Sequence, residues 1–346
     1  MSTIYRTLAA VLVKTRQPLA LLELEVPAPA RGQVLVRLAY SGVCGSQLNE
    51  VRGRKGRDAY LPHTLGHEGS GVVVAVGAGV RKVRPGDHVV ITWIKGAGLE
   101  GELQSYRTAR GRKVNTGAVS TLLGSALISE NRLVRIRPDM PLKEAALLGC
   151  AVPTGAGIVR HQVRPTKGQT VAIFGVGGVG LSAVLAAAAA GARVIAVDIV
   201  PSKLRAAREA GAERALDASR GDVVEQLSHI AGGGCDACVE CSGSTAAMSS
   251  ALSAVRAGGL CVIAGNPPKG ERMAVDPYDL IRGKRLAGSW GGGTDPDRDI
   301  PYYCAEYLSG RLRLSTLLGR VYPLKRTDDA LDDLERGRVR RALVRL

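Results

Sequence analysis

The chain has 346 residues, 45% hydrophobic and 23% charged, which is enough for two domains and a sizeable core and excludes a disordered or disulfide-stapled miniature. Its formal net charge of +16 is spread along the whole length and densest at 336–341, yet no nucleic-acid-binding signature accompanies it, so the excess reads as a solvated, arginine-rich surface and no nucleic-acid partner is expected. No basic segment leads into an apolar one at the N-terminus, the apolar stretch 181–192 is shorter than a bilayer span, and seven cysteines are an odd count, which together predict a cytoplasmic protein without membrane contact or disulfide framework.

Taken in chain order, the first 150 residues read as β-rich. Runs such as Gln33-Val-Leu-Val-Arg-Leu, Gly71-Val-Val-Val-Ala-Val and His88-Val-Val-Ile-Thr are separated by Gly/Pro turns at 31–32, 77–79 and 85–86. That pattern suits a partly open barrel. From about 152 the texture changes. Strands are predicted at 170–174, 193–198, 235–241, 259–264 and 285–289, and helices at 178–190, 201–210, 221–230, 244–256 and 276–282. Such alternation implies a parallel, doubly wound sheet. The last segment carries a helix near 299–309, the strand Gly319-Arg-Val-Tyr, a helix at 327–336 and a strand at 340–345. Within 235–241, Cys235, Cys238 and Cys241 have the spacing of metal ligands, but in a strand residues three apart point to opposite faces, so no metal is expected there.

One turn carries specific chemistry. Val171-Ala-Ile-Phe leads into Gly175-Val-Gly177-Gly178-Val179-Gly180, an Ala-rich helix follows, and the next strand ends in Asp198. This is the G-x-G-x-x-G dinucleotide fingerprint with its acid about 20 residues on. Gly175 permits the tight turn, Gly177 lets the backbone approach a pyrophosphate, and Gly180 lets helix and sheet pack closely. The helix N-terminus offers free N–H groups and the positive end of its dipole to phosphates.

Ahead of that turn lie Gly42-Val-Cys44-Gly-Ser46, Leu65-Gly66-His67-Glu68-Gly69-Ser-Gly71, Gly86-Asp-His-Val and Leu148-Gly-Cys150-Ala-Val-Pro-Thr154; after it comes Ala264-Gly-Asn-Pro-Pro. In this order the motifs resemble the zinc-dependent alcohol dehydrogenases of the medium-chain dehydrogenase/reductase superfamily, over nearly the whole chain. The resemblance implies an α/β protein with a GroES-like β-barrel catalytic domain at 1–151 and 291–346 and a Rossmann domain at 152–290. It implies one catalytic Zn²⁺ on Cys44, His67 and Cys150, a Cys₂His set that leaves a tetrahedral position open for an alcohol or carbonyl oxygen. It places Glu68 near the metal, Ser46 at the start of a proton relay, Trp93 along the substrate pocket, Thr154 near the nicotinamide, Lys203 near the adenosine ribose and Arg341 at the pyrophosphate. Asp198 at the end of its strand favours NAD(H) over NADP(H). The expected partners are a small-molecule alcohol or carbonyl substrate and further copies of the chain, as homodimer or homotetramer.

Three departures from the family pattern stand out. Gln47 occupies the position of an Asp that bonds the zinc-bound His, and its amide oxygen is expected to accept in the same way. Asn49 stands where some relatives carry a relay His, with Glu50 as a substitute acid. Residues 93–112 contain no Cys, so the four-cysteine structural zinc of many relatives is expected to be absent and 99–112 to form a short helix or loop. Two other functions use the same features: reduction of an activated C=C or imine without catalytic use of zinc, and nucleotide binding without turnover.

Overall fold

A computed structural model describes residues 4–346. It divides into two compact units, one running to Cys150 and resuming at Asp295–Leu346, the other Ala151–Thr294. The second boundary lies beyond 290 because Thr294 donates from Oγ1 to the Pro153 carbonyl and Gly292 packs on the backbone at Pro153, Thr154 and Gly157.

In the first unit, Tyr5–Leu12, Ala20–Val26, Ser105–Thr108, Lys113–Asn115 and His63–Thr64 close a small barrel. A second sheet runs in the order Leu133–Arg135, His88–Thr92, Glu68–Val76, Gln33–Gly42, Leu343–Arg345, Val321–Pro323, with Ser125–Ser129 also paired to Gln33–Gly42. The C-terminal strand thus belongs to this unit, antiparallel to Gln33–Gly42. One Val/Leu/Ile core lies inside these sheets; a second packs the helices Gly45–Val51 and Thr327–Glu335 against Leu12, Leu65 and Val344.

The second unit is one parallel six-stranded sheet, ordered Arg214–Asp217, Arg193–Asp198, Thr170–Phe174, Cys235–Glu240, Val255–Ile263, Arg285–Gly288. Four of its strands read as buried apolar runs, and Arg285–Gly288 was expected too although it is an exposed edge strand. Arg214–Asp217 was missed: this opposite edge strand is only four residues long, has no fully buried residue, and opens and closes on a charged side chain. Among the described residues no single helix is long and apolar enough to cross a membrane.

Two expectations need correction. Alternation fails for Cys235 and Cys238: the pairing is irregular at the strand start, where a step of two residues from Cys235 to Ala237 faces a step of five from Val255 to Leu260, and both cysteines join Cys261 in one buried cluster. Burial pushes the Cys261 thiol up to about 12 and the Cys238 thiol well above its ordinary value, so those two stay protonated and apolar in character. Of the helix or loop expected at 99–112, the loop alternative holds in part. It is irregular as far as 104, then enters the strand Ser105–Thr108, which pairs antiparallel with Lys113–Asn115.

Candidate active site

Cys44, His67 and Cys150 come from three separate places in the first unit. Cys44 precedes the helix Gly45–Val51, His67 precedes the strand Glu68–Val76, and Cys150 follows a 3₁₀ turn at Ala146–Gly149. Their sulfur and ring-nitrogen atoms all lie within 4.8 Å of one another. The Cys44 thiol is held well below its ordinary range, chiefly by a hydrogen bond with Cys150; burial opposes this, and the charges of Arg341 and His67 add to it. Two sulfurs and one imidazole this close, one thiol already biased to thiolate, fit a zinc ion with an open fourth position.

Glu68 is fully buried, and so is its partner: Arg341, only 3% exposed, forms an ion pair with its carboxylate. Expected at a cofactor pyrophosphate, Arg341 is instead held on this acid, because a buried carboxylate needs a cation beside it. Gly42 and Gly149 make room, since a Cβ at either would collide with the Glu68 side chain. No local motif could have revealed this pair, because its partners stand at opposite ends of the chain. Trp93 is half-buried, and its carbonyl accepts from Arg132. Glu68 pairs with Thr92 across the sheet, which puts Trp93 at the same strand end as His67.

Gln47 does not take the role expected of it. Its Oε1 accepts from the Cys44 backbone N–H at 2.6 Å, so the amide caps the short helix behind Cys44. What faces inward is a buried Nε2 donor without a partner, and a donor cannot accept from His67. Ser46 and Asn49 lie on the same helix, both half-buried; Asn49 Oδ1 is 3.4 Å from Arg54. Glu50, the substitute acid, turns to Lys55 and His63.

In the second unit, Gly177 caps the helix Gly178–Ala189, which begins with Gly178, Val179 and Gly180. Gly175 has φ +78°, and a Cβ there would lie 2.6 Å from Ser242. At Gly180 a Cβ would strike the Gly175 carbonyl, whereas Gly177 opens on empty space. That open face, at a helix N-terminus, is a phosphate cradle. Asp198 Oδ2 accepts from Val176 N–H at 2.9 Å, and Oδ1 from Ile199 and Val200 at 2.8 and 3.0 Å, so the carboxylate is fixed at the turn. Lys203 is half-buried in the first turn of the helix Pro201–Glu209. Thr154 carries a buried hydroxyl without a partner. An orphaned hydroxyl, an open glycine face and an anchored acid fit a dinucleotide.

Comparison with known proteins agrees with both units. Residues 30–137 match the alcohol dehydrogenase GroES-like domain, and 178–306 the zinc-binding dehydrogenase family. S-(hydroxymethyl)glutathione dehydrogenase of Haemophilus influenzae is 31% identical, over 97% of this chain and 96% of its own. Alcohol dehydrogenase 2 of Zea mays is 31% identical over 98% and 97%. An alcohol dehydrogenase zinc-binding domain protein from Burkholderia ambifaria superposes with a TM-score of 0.93 at 32% identity, covering 99% of this chain and 100% of its own. Benzyl alcohol dehydrogenase of Acinetobacter calcoaceticus gives a TM-score of 0.90 at 27% identity, covering 99% of each chain. The chain belongs to the zinc-dependent alcohol dehydrogenases of the medium-chain dehydrogenase/reductase superfamily.

Proposed function

We propose that this chain interconverts alcohols and aldehydes or ketones with NAD(H), using one zinc ion on Cys44, His67 and Cys150. The convergence of two sulfurs and one imidazole within 4.8 Å carries the reading. When bound, the zinc supplies Lewis acidity at the substrate oxygen and the nicotinamide takes or gives the hydride. The chain's own residues do the rest. Ser46, two residues past Cys44, takes the substrate hydroxyl proton as it releases its own to water, and Asn49, which cannot change charge, only orients by hydrogen bonding. Trp93 lines the substrate side. Glu68 and Arg341 hold a neutral buried pair behind the thiolates. Gly175, Gly177, Gly178, Val179 and Gly180 receive the pyrophosphate, Asp198 and Lys203 the adenosine ribose, and Thr154 the nicotinamide.

Asp198 is proposed to impose NAD(H), because an anchored carboxylate meets the 2′-phosphate of NADP as a like charge. The preference is expected to be about a hundredfold in kcat/KM. Asp198→Ala should narrow it, and because the acid also accepts from three backbone N–H groups, it should weaken NAD binding as well. A wild type that prefers NADP(H) would contradict the assignment.

The exposed Tyr278, Leu280, Ile281 and Leu286, along the edge of the parallel sheet, support homo-oligomer formation. Light scattering that finds a monomer at micromolar concentration would contradict it. Reduced thiolate ligands and five further free cysteines support a cytoplasmic location. Zinc content together with NADH oxidation, measured on aldehydes, ketones and enals, tests the activity. A preference for enals in zinc-free protein would favour the C=C reductase reading.

A further inference from the structure

A second group of ligand-type side chains lies outside the thiolate site. Glu50 and Asp58 each bring a carboxylate oxygen, and His63 a ring nitrogen, within 4.8 Å of one another. His63 is buried. Its Nδ1 lies 2.9 Å from the Thr64 carbonyl oxygen, which can only accept, so Nδ1 carries a proton. Its Nε2 lies 2.9 Å from Asp58 Oδ2 and 3.7 Å from Glu50 Oε1, again two acceptors. A neutral ring would aim its lone pair at two anions. Something positive must stand at Nε2: a second ring proton or a metal ion.

We propose that Glu50, Asp58 and His63 form a second site for a divalent ion of the zinc class, separate from Cys44, His67 and Cys150. A proton on Nε2 serves Asp58 alone, since 3.7 Å is beyond hydrogen-bond reach. An ion uses both carboxylates. The outer oxygens are already engaged: Asp58 Oδ1 accepts from Tyr60 N–H at 2.9 Å, and Glu50 Oε2 faces Lys55 Nζ at 3.3 Å. One oxygen of each acid is thus left facing the ring. A backbone carbonyl on the far ring nitrogen is how a metal-ligating imidazole is oriented and its tautomer fixed. Imidazole and carboxylate are zinc donors, and three of them leave a position for water. The ion would tie the helix that carries Ser46 to the segment leading into His67, a structural cross-link in a chain whose residues 93–112 have no cysteines for one.

The test starts from zinc-replete protein, so the thiolate site is already filled. Calorimetric titration with Zn²⁺, followed by metal analysis, should show one further ion per chain in the wild type. Asp58→Asn and His63→Gln should abolish it, and Glu50→Gln should weaken it about tenfold or more. Asp58→Asn and Glu50→Gln alter partly exposed side chains, which keeps the test valid if His63→Gln does not fold. The ¹⁵N resonance of His63 Nε2 should move on zinc addition in the wild type. No further ion in the wild type overturns the proposal. So does a further ion kept by all three variants, or a His63 ring that stays doubly protonated and indifferent to zinc.

Discussion

Residues 44, 67 and 150 and the irregular stretch 93–104 lie in the same unit and face opposite problems. The first three bring together two thiols and an imidazole that favour one thiolate among them, but a second thiolate beside it is repelled unless a cation stands between. The second is backbone outside any strand, whose N–H groups need acceptors. It is fastened by carboxylates: Glu130 accepts from Arg81, Lys82 and Leu99 N–H at 2.6, 2.7 and 2.7 Å, and Asp297 accepts from Ala97 N–H at 2.6 Å while pairing with Lys82. An irregular lobe can therefore be fastened by carboxylates, the buried Glu130 and the half-buried Asp297, that cap its amides. A cluster of soft donors needs a metal ion. The first arrangement should respond to chelators and the second to acid.

The largest effect is expected at the thiolate site. Cys150→Ser should remove zinc from that site and lower kcat/KM about a thousandfold or more, because several kcal/mol of Lewis-acid stabilisation disappear. Its thermal stability without zinc should match that of the zinc-free wild type. A larger loss would mean that Cys150 holds the fold as well as the metal.

Arg341→Met comes next. It leaves Glu68 buried and unpaired, at a cost of about 3–5 kcal/mol in denaturant unfolding. It also removes a cation that favours the Cys44 thiolate, so zinc retention at mildly acid pH should fall. Full retention would show that Cys150 and His67 suffice.

Glu130→Gln addresses the other region. Burial pushes the Glu130 carboxyl up, but the N–H groups of Leu99, Arg81 and Lys82 together hold it below the usual carboxylate range. A depressed folded-state value means that the stabilisation is complete above the unfolded value of about 4.3 and is lost as pH falls further, through the folded value. The substitution should cost about 1.5–3 kcal/mol at neutral pH and flatten the acid limb of the stability curve. Zinc content should not change. Loss of zinc would merge the two regions that the comparison separates. The smallest effect is expected from Asp297→Asn, about 0.5–1 kcal/mol, since its pair with Lys82 is partly exposed.

Much of this was legible before any coordinates. Gly175 and Gly180 announce a turn because a Cβ at either would strike the neighbouring chain, Gly177 leaves the face between them open, and Asp198 follows at the fingerprint spacing. Cys44, His67 and Cys150 were found through motifs, each of which fixes a short local geometry. The rest depends on contacts that leave no local pattern. Glu68 finds Arg341 only when the last strand pairs with Gln33–Gly42. Gln47 was read by position in a motif, but the Cys44 N–H at the helix start competes for its oxygen and wins. Glu130 sits in an ordinary Ser-Glu-Asn sequence that says nothing of the three amides it meets. The irregular pairing beside Cys235 breaks a rule of alternation that holds only while the strand is regular.

The central claim is that Cys44, His67 and Cys150 bind one ion together. Cobalt(II) substitution tests it most directly, because a thiolate-bound cobalt ion shows an intense near-ultraviolet charge-transfer band that an imidazole–carboxylate site cannot produce. The account predicts this band at one equivalent of cobalt in the wild type, its loss in Cys44→Ser, and its persistence in Asp58→Asn. Cobalt-loaded, active enzyme without the band would contradict it.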